Sequence, residues 1–125
     1  AASDAERRKA AASWMTNPAN PLFSRVIVNR IWHHHFGQGL VKKPSDFGAG
    51  GGRPSHPELL DWLADCFQQN NYSLKSLHRL IVTSMTYRQS SASRPDALGR
   101  DRDNRLLWRF APKRLEGEAV RDSLL

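Results

Sequence analysis

The segment from Asn20 to Gly37 constrains the fold of this chain more than any other part of its sequence. Asn20 is a good helix N-cap and Pro21 suits the first helical position, while Gly37 supplies a left-handed stop, so a helix is predicted over residues 21–36. Its apolar residues, from Leu22 to Phe36, are spread over nearly the whole circumference. A helix that is apolar all round is usually buried all round. We therefore predict that this helix is central and enclosed by protein on every side.

Polar residues of the same helix then need partners inside the protein. The residues concerned are Asn29, Arg30, His34 and His35. The run His33-His34-His35 is not expected to bind a metal from one helix, because successive helical positions diverge by about 100°. Only the approach of His56 or His78 could complete a tetrahedral site. We expect His34 and His35 to be packed and hydrogen-bonded, and His33 to face solvent or a neighbouring domain.

Other helices are predicted from capping patterns and apolar stripes. Ser3 and Glu6 form a capping-box pattern before a helix over about residues 4–15. The same pattern at Ser55-His56-Pro57-Glu58 predicts a third helix, Ser73 is expected to cap a fourth, and a last helix is expected from about Lys113. The predicted stripe of the third helix is Leu59, Leu60, Trp62, Leu63, Cys66 and Phe67, and that of the fourth is Leu74, Leu77, Ile81 and Met85.

Two loops separate these helices. Residues 37–54 contain six glycines and read as a long Gly-rich loop, and residues 89–103 are polar and read as a mobile loop. The prediction is a single compact all-α domain over residues 1–125, with about five helices around the central one. We expect it to be a fragment of a longer chain, because the sequence stops inside the last helix without a cap. No stretch of 18 apolar residues predicts a membrane span.

A candidate ligand or partner surface is expected where the Gly-rich loop meets the ends of the second and third helices. Its residues are His34, His35, Asp46, Arg53 and His56. The loop resembles a phosphate cradle because it runs into a helix N-terminus, although it lacks Gly-Lys-Ser/Thr and no strand precedes it. The sequence leaves two functions of this loop open: binding of an anion or acidic sugar near Arg53 and His56, or a part in a hydrolase-type site. No catalytic residue is assigned. The residues favour the interpretation that this segment alone is not an enzyme.

Cofactor chemistry has little support in the sequence. The chain has one cysteine, Cys66, on the apolar stripe of the third helix, where we expect it to act as a small hydrophobe. A single cysteine excludes an internal disulfide framework and a Cys-x-x-Cys-His haem attachment. No cofactor and no metal are expected in this segment.

The net charge of +7 is concentrated in one segment. Residues 73–114 contain ten of the 19 Lys and Arg and three of the 12 Asp and Glu, so the rest of the chain balances at nine against nine. Residues 59–88 have the proportions of a helix-turn-helix, and an outward row could contact nucleic acid. That row is Lys75, Arg79, Thr83 and Thr86. The alternative, which we favour, is a plain helical hairpin with a solvated basic face, because few aromatic residues interleave with the charges.

Many of these residues coincide with one known family. The matching stretches are 29–41, 46–48, 54–64, 73–75, 78–81, 84, 86–91, 103–109 and 114–116. In them the chain resembles the C-terminal domain of large secreted planctomycete proteins, known as domain of unknown function 1553. The resemblance implies an extracytoplasmic location, periplasmic or secreted, and neighbouring domains that include a c-type cytochrome-like one. It further implies redox or polysaccharide-related work but no established reaction. We therefore expect an accessory or interaction module whose partners are neighbouring domains of the same polypeptide.

Overall fold

The chain is described by a computed structural model that covers residues 2–48 and 50–125. Within these residues the structure contains helices and no strands, which confirms the predicted all-α class. The helices are α1 (Asp4–Met15), α2 (Pro21–Phe36), α3 (Pro57–Gln69), α4 (Leu74–Thr83), α5 (Met85–Arg88), α6 (Pro95–Arg100) and α7 (Gly117–Leu124). In the described part of the chain, no helix is long and apolar enough to cross a membrane.

The first two helices begin where their caps predict. Ser3 and Glu6 form a complete capping box, in which each side chain accepts a hydrogen bond from the backbone N–H of the other residue. The side chain of Asn20 accepts a hydrogen bond from the Leu22 N–H at the start of α2. Gly37 ends α2 with a φ of 78°, in the left-handed region that favours glycine.

The predicted starts of α3 and α7 are wrong. α3 begins at Pro57 with His56 as its N-cap residue, and no side chain among the described residues caps it. Ser55 does not complete a capping box because its backbone N–H donates to the Leu40 carbonyl and its hydroxyl lies 3.0 Å from His56 Nδ1. α7 begins at Gly117 rather than near Lys113, because Lys113 is held against the end of α2.

The predicted fourth helix is interrupted at Ser84. This residue leaves the helical conformation, with a φ of −66° and a ψ of 151°, and its hydroxyl accepts a hydrogen bond from the Tyr87 N–H at the start of α5. Met85 therefore does not continue the buried stripe of α4 and is 88% exposed, so this prediction is wrong. Leu74, at the first turn of α4, is also exposed, whereas Leu77 and Ile81 are buried as predicted.

α2 is central to the core, but it is not enclosed on every side. Its buried apolar face is a narrow stripe that recurs every four residues from Val28 through Trp32 to Phe36, and α3 and α4 both pack against α2. Arg30 and His34 lie in solvent, which corrects the predicted burial of the whole helix. These two residues lie on the solvent-exposed side of the helix because a guanidinium and an unpaired imidazole are costly to bury.

Polar contacts join α2 to α3 at the border of the core. The buried Ser24 hydroxyl accepts a hydrogen bond of 3.0 Å from the Gln68 amide, and Arg25 forms a 2.7 Å ion pair with Asp61. The predicted stripe of α3 is too wide, because Trp62 is 52% exposed. The buried apolar core consists of Val28, Trp32, Phe36, Leu40, Val41, Leu60, Leu63, Ala64, Phe67, Leu77 and Ile81.

Both predicted loops are tied to this core. Leu40 and Val41 attach the Gly-rich loop to the core, since both side chains are buried and Phe47 packs against the same cluster. Residues 89–103 contain α6, so this predicted loop is partly helical. Residues 101–113, which we name the strap, have no helix or strand and cross the C-terminal end of α2, where Lys113 reaches the carbonyl oxygens of His34 and His35 at 2.8 and 3.2 Å.

Candidate functional site

Each residue predicted to form a ligand surface has its own neighbours in the described structure. His34 is exposed at the last turn of α2, and Arg53 is exposed in the Gly-rich loop. Asp46 accepts a hydrogen bond from the Gly48 N–H within that loop, and His56 lies against Ser55. Among residues 2–48 and 50–125, no hydrogen bond joins two of the five predicted residues. The surface formed by His34, His35, Asp46, Arg53 and His56 therefore stays a prediction.

His35 has a close partner that the sequence places on another helix. Its Nε2 atom lies 2.8 Å from Nδ1 of His78 on α4, and the two rings meet edge to face with centroids 5.0 Å apart. Tyr87 of α5 packs edge-on against His35 at 5.6 Å. Burial lowers the pKa of His35, and the nearby positive charges of His78, Lys113 and His34 lower it further. The His35–His78 contact thus joins α2 to α4.

Two of the three consecutive histidines, His33 and His34, differ from the prediction in their environments. His34, expected to be packed, is exposed, whereas His33, expected to face solvent or a neighbouring domain, is half-buried. The Nδ1 atom of His33 is buried without a hydrogen-bond partner among the described residues. A turn of about 100° per residue separates the three rings, so their side chains meet different surroundings around α2.

A cleft at the C-terminal end of α2 was not predicted from the sequence. Two neighbouring cavities of about 310 and 390 Å³ are both lined by Gly37, Gln38 and Asp103. His33 and Lys42 line the larger cavity, and the smaller one has apolar and cationic walls. These walls are Phe36, Leu107, Ala111, Pro112 and Lys113. We name this pair of cavities the Gln38 cleft.

The Gln38 cleft combines an apolar wall with a few polar groups, which is the usual composition of a small-ligand site. The Asp103 carboxylate, the Lys42 ammonium and the Gln38 amide can hydrogen-bond a polar molecule. The cleft could not be predicted from the sequence because Asp103, in the strap, lies 65 positions beyond Gln38. No local sequence pattern indicates that two such distant residues come together.

The residues of the nucleic-acid alternative are only partly brought together. Lys75, Arg79 and Thr83 line one shallow groove of about 620 Å³, together with residues of α3 and its end. Thr86 lies on α5 beyond the break at Ser84, so it does not continue this row. The Thr83 hydroxyl donates a 2.8 Å hydrogen bond to the Arg79 carbonyl of its own helix. The groove therefore offers the cations of Lys75 and Arg79 rather than a row of four base-reading side chains.

The Gly-rich loop closes on itself. Gly51 is buried, and a Cβ atom at this position would overlap the carbonyl oxygen of Asp46. Gly50 would place a Cβ 2.9 Å from the Asp46 carboxylate, so the glycines make room for this residue. The Lys43 ammonium donates to the Gly50 carbonyl at 3.2 Å. These contacts explain Gly50 and Gly51 by the loop's own packing.

Asp61 and Cys66 are two side chains of α3 that carry reactive groups. Asp61 is paired with Arg25, and the pair is more than one-third exposed, which is typical of solvated charge. Cys66 is a half-buried free thiol at the side of the α3–α4 groove. In the part of the chain that the structure describes, no group of three or more His, Cys, Asp or Glu side chains is placed to hold a metal ion.

Comparison with known proteins gives a family but no function. Neither the curated proteins nor the solved structures contain a match to this chain. A family model described as PSD1, protein of unknown function (DUF1553), matches residues 7–125. This range includes all seven helices except the first turn of α1. The chain belongs to this family.

Proposed function

We propose that this chain is an accessory, non-catalytic module of a larger extracytoplasmic polypeptide, and that it docks on neighbouring domains through α1 and α7. One observation carries the proposal. The structure describes every residue of these two helices and none is buried, yet both carry large apolar side chains. Trp14 of α1 is 65% exposed and Leu124 of α7 is 82% exposed.

The exposed apolar faces of the two helices favour a partner. α1 has 12 residues, and isolated helices shorter than about 12–15 residues are marginal in water. Most helical stability in proteins comes from packing an apolar face, and burial of one large apolar side chain contributes about 1.5–3 kcal/mol. Val120 and Leu124, four positions apart, lie on one face of α7 and are both exposed. A neighbouring domain that covers this face would supply the missing packing.

The family resemblance supports the finer parts of the proposal. It favours a periplasmic or secreted polypeptide with a c-type cytochrome-like domain among the neighbours, and work on polysaccharides or in redox reactions. In that setting α1 and α7 are the surfaces that would hold the module in place, while the Gln38 cleft stays open to a small polar ligand.

Hydrogen exchange on the larger polypeptide and on the 125-residue chain tests the docking. We expect the amides of α1 and α7 to exchange at least about tenfold more slowly in the larger polypeptide, because docking adds opening free energy to these helices. Leu124→Ser should remove the protection of α7, whereas Met85→Ser, a matched change of an exposed side chain, should leave it unchanged. Equal exchange of α1 and α7 in both proteins would refute the docking.

The predicted ligand surface has a separate test. Arg53→Ala and His35→Ala should abolish binding of a partner or ligand while leaving the thermal unfolding curve unchanged. Binding is measured with the isolated neighbouring domains and with an acidic oligosaccharide as probes. Loss of folding in either variant, or unchanged binding of every probe, would mark these residues as structural and overturn this part of the proposal.

Nucleic-acid binding is the second candidate, and the α3–α4 groove is the observation that favours it. Lys75 and Arg79 line this groove, and neither is in an ion pair among the described residues. Counterion release predicts that affinity for duplex DNA falls steeply with salt. The double variant Lys75→Gln/Arg79→Gln should lower the slope of log K against log salt by about two. An unchanged slope, or no gel shift at low salt, would remove this candidate.

A further inference from the structure

His35 and His78 bring two metal-ligating nitrogen atoms together from different helices. The distance from His35 Nε2 to His78 Nδ1 is 2.8 Å, and the planes of the two rings meet at 72°. At this distance one proton is shared between the nitrogens, and the second nitrogen keeps a lone pair directed at its partner. A divalent metal ion can replace that proton, since imidazole is a common ligand of Zn, Cu and Ni.

We propose that His35 and His78 form a two-histidine site for a divalent transition-metal ion of the Cu²⁺ or Ni²⁺ class, with water or an exogenous ligand completing the coordination. Tetragonal sites of this class hold neighbouring ligands at right angles. Metal–nitrogen bonds of about 2.0–2.1 Å at a right angle place two ligand nitrogens about 2.9 Å apart, whereas a tetrahedral angle places them about 3.3 Å apart. The two nitrogens, 2.8 Å apart in a hydrogen bond, would reach the right-angled spacing if the rings turned so that both lone pairs met at one ion.

The surroundings hold one ligand in place and leave the other accessible. His35 is half-buried beside Tyr87 and lies at the end of α2, where Lys113 binds its carbonyl oxygen. His78 is exposed, so its ring can turn by the small amount that brings both lone pairs onto one ion. The remaining coordination positions then face solvent, as a site that accepts an exogenous ligand requires.

The charges around the pair set the protonation state and limit the affinity. A metal ligand must be a neutral imidazole, so metal binding at the pair competes with protons. The groups that face the pair are the Lys113 ammonium of the strap, the His34 ring of α2 and the Tyr87 hydroxyphenyl of α5. Lys113 repels a divalent cation, so we expect weaker binding than at a site with three protein ligands.

Metal titration of the 125-residue chain, freed of metal with a chelator, tests the site. Cu²⁺ and Ni²⁺ are added separately, binding is followed by calorimetry, and the copper complex is examined by electron paramagnetic resonance. We expect hyperfine splitting from two imidazole nitrogens, and affinity at least about tenfold lower in His78→Ala. His34→Ala is the matched control on the same turn of α2 as His35 and should change the affinity less than about twofold.

Thermal unfolding gives a second readout that separates this site from other surface histidines. A metal bound to both rings joins α2 to α4 and binds only the folded chain, so saturating Ni²⁺ should raise the melting temperature. The rise should vanish in His78→Ala, an exposed position whose change leaves the fold intact, and should persist in His34→Ala. Equal metal affinity of the parent chain and His78→Ala, or a loss of affinity in His34→Ala as large as that in His78→Ala, would overturn the proposal.

Discussion

Asn29 is the polar residue on which the junction between α2 and the Gly-rich loop depends. Its side chain is fully buried, with an exposure of 0%. Its amide donates to the Val41 carbonyl at 3.1 Å, and its carbonyl oxygen accepts from the Val41 N–H at 2.9 Å. Gly39 lies so close that a Cβ there would be 2.9 Å from both polar atoms of the Asn29 side chain. These two hydrogen bonds satisfy both backbone polar groups of Val41, as a neighbouring β-strand would.

Asn29→Ala should destabilise the fold strongly. It leaves the N–H and the carbonyl of Val41 buried without partners, and each such group costs about 1–3 kcal/mol. The expected loss is therefore about 2–6 kcal/mol in the free energy of unfolding, against a total of about 5–15 kcal/mol for a typical domain. No other described side chain bonds to the Val41 backbone, so nothing compensates for the loss.

Urea unfolding followed by circular dichroism and tryptophan fluorescence measures this loss. We expect the midpoint to fall by roughly 1–3 M with an unchanged slope, because the surface exposed on unfolding is the same. Asn70→Ala is the matched control, since Asn70 is exposed and its amide makes one hydrogen bond with the Cys66 carbonyl. A midpoint for Asn29→Ala equal to that of Asn70→Ala would refute the reasoning that Asn29 holds this junction.

Three further predictions concern the loop, the histidine pair and the core. Gly51→Ala should unfold the Gly-rich loop and lower the melting temperature because its Cβ would overlap the Asp46 carbonyl, whereas Gly99→Ala meets open space in a helix and should stabilise the chain slightly by calorimetry. The pKa of His35 is lower in the folded chain than in the unfolded chain, so as the pH falls the unfolded chain binds a proton at this residue first. In metal-free buffer the free energy of unfolding should therefore fall as the pH drops below about 6.5, the unfolded pKa, and level off below the folded pKa. A flat profile in this range would contradict the prediction. Leu60→Ala should cost about 2–5 kcal/mol in urea unfolding because Leu60 is fully buried; a loss below about 1 kcal/mol would show that its site collapses around the smaller side chain.

Helix ends could be predicted from the sequence where one side chain settles them locally. Ser3, Asn20 and Ser73 each accept a hydrogen bond from a backbone N–H two or three residues later, and Gly37 adopts the left-handed conformation. The same reasoning failed at Ser55, because its backbone N–H is already bonded to a residue outside the local segment. Local patterns predict an end only where no distant partner competes for the same groups.

The site could be predicted less well because its geometry is non-local. His35 was identified from the sequence, but its partner His78 lies 43 positions away, and the Asp103 wall of the Gln38 cleft lies on the strap. The overestimate of burial on α2 had a different cause. Apolar residues all around a helix indicate burial only if the polar ones between them find partners, and Arg30 lies exposed in solvent instead.

The strap is shaped by its own side chains rather than by a helix or a sheet. Both carboxylate oxygens of Asp101 accept from the backbone N–H groups of Arg105 and Leu106, and the Asn104 side chain bonds the Arg109 N–H and carbonyl. These bonds span four or five residues, so they can form before the strap docks. Its attachment at Lys113, however, spans 79 positions. Closure of so long a chain segment costs more entropy than the contacts within the strap, so the strap should dock after the core of α2, α3 and α4 has formed.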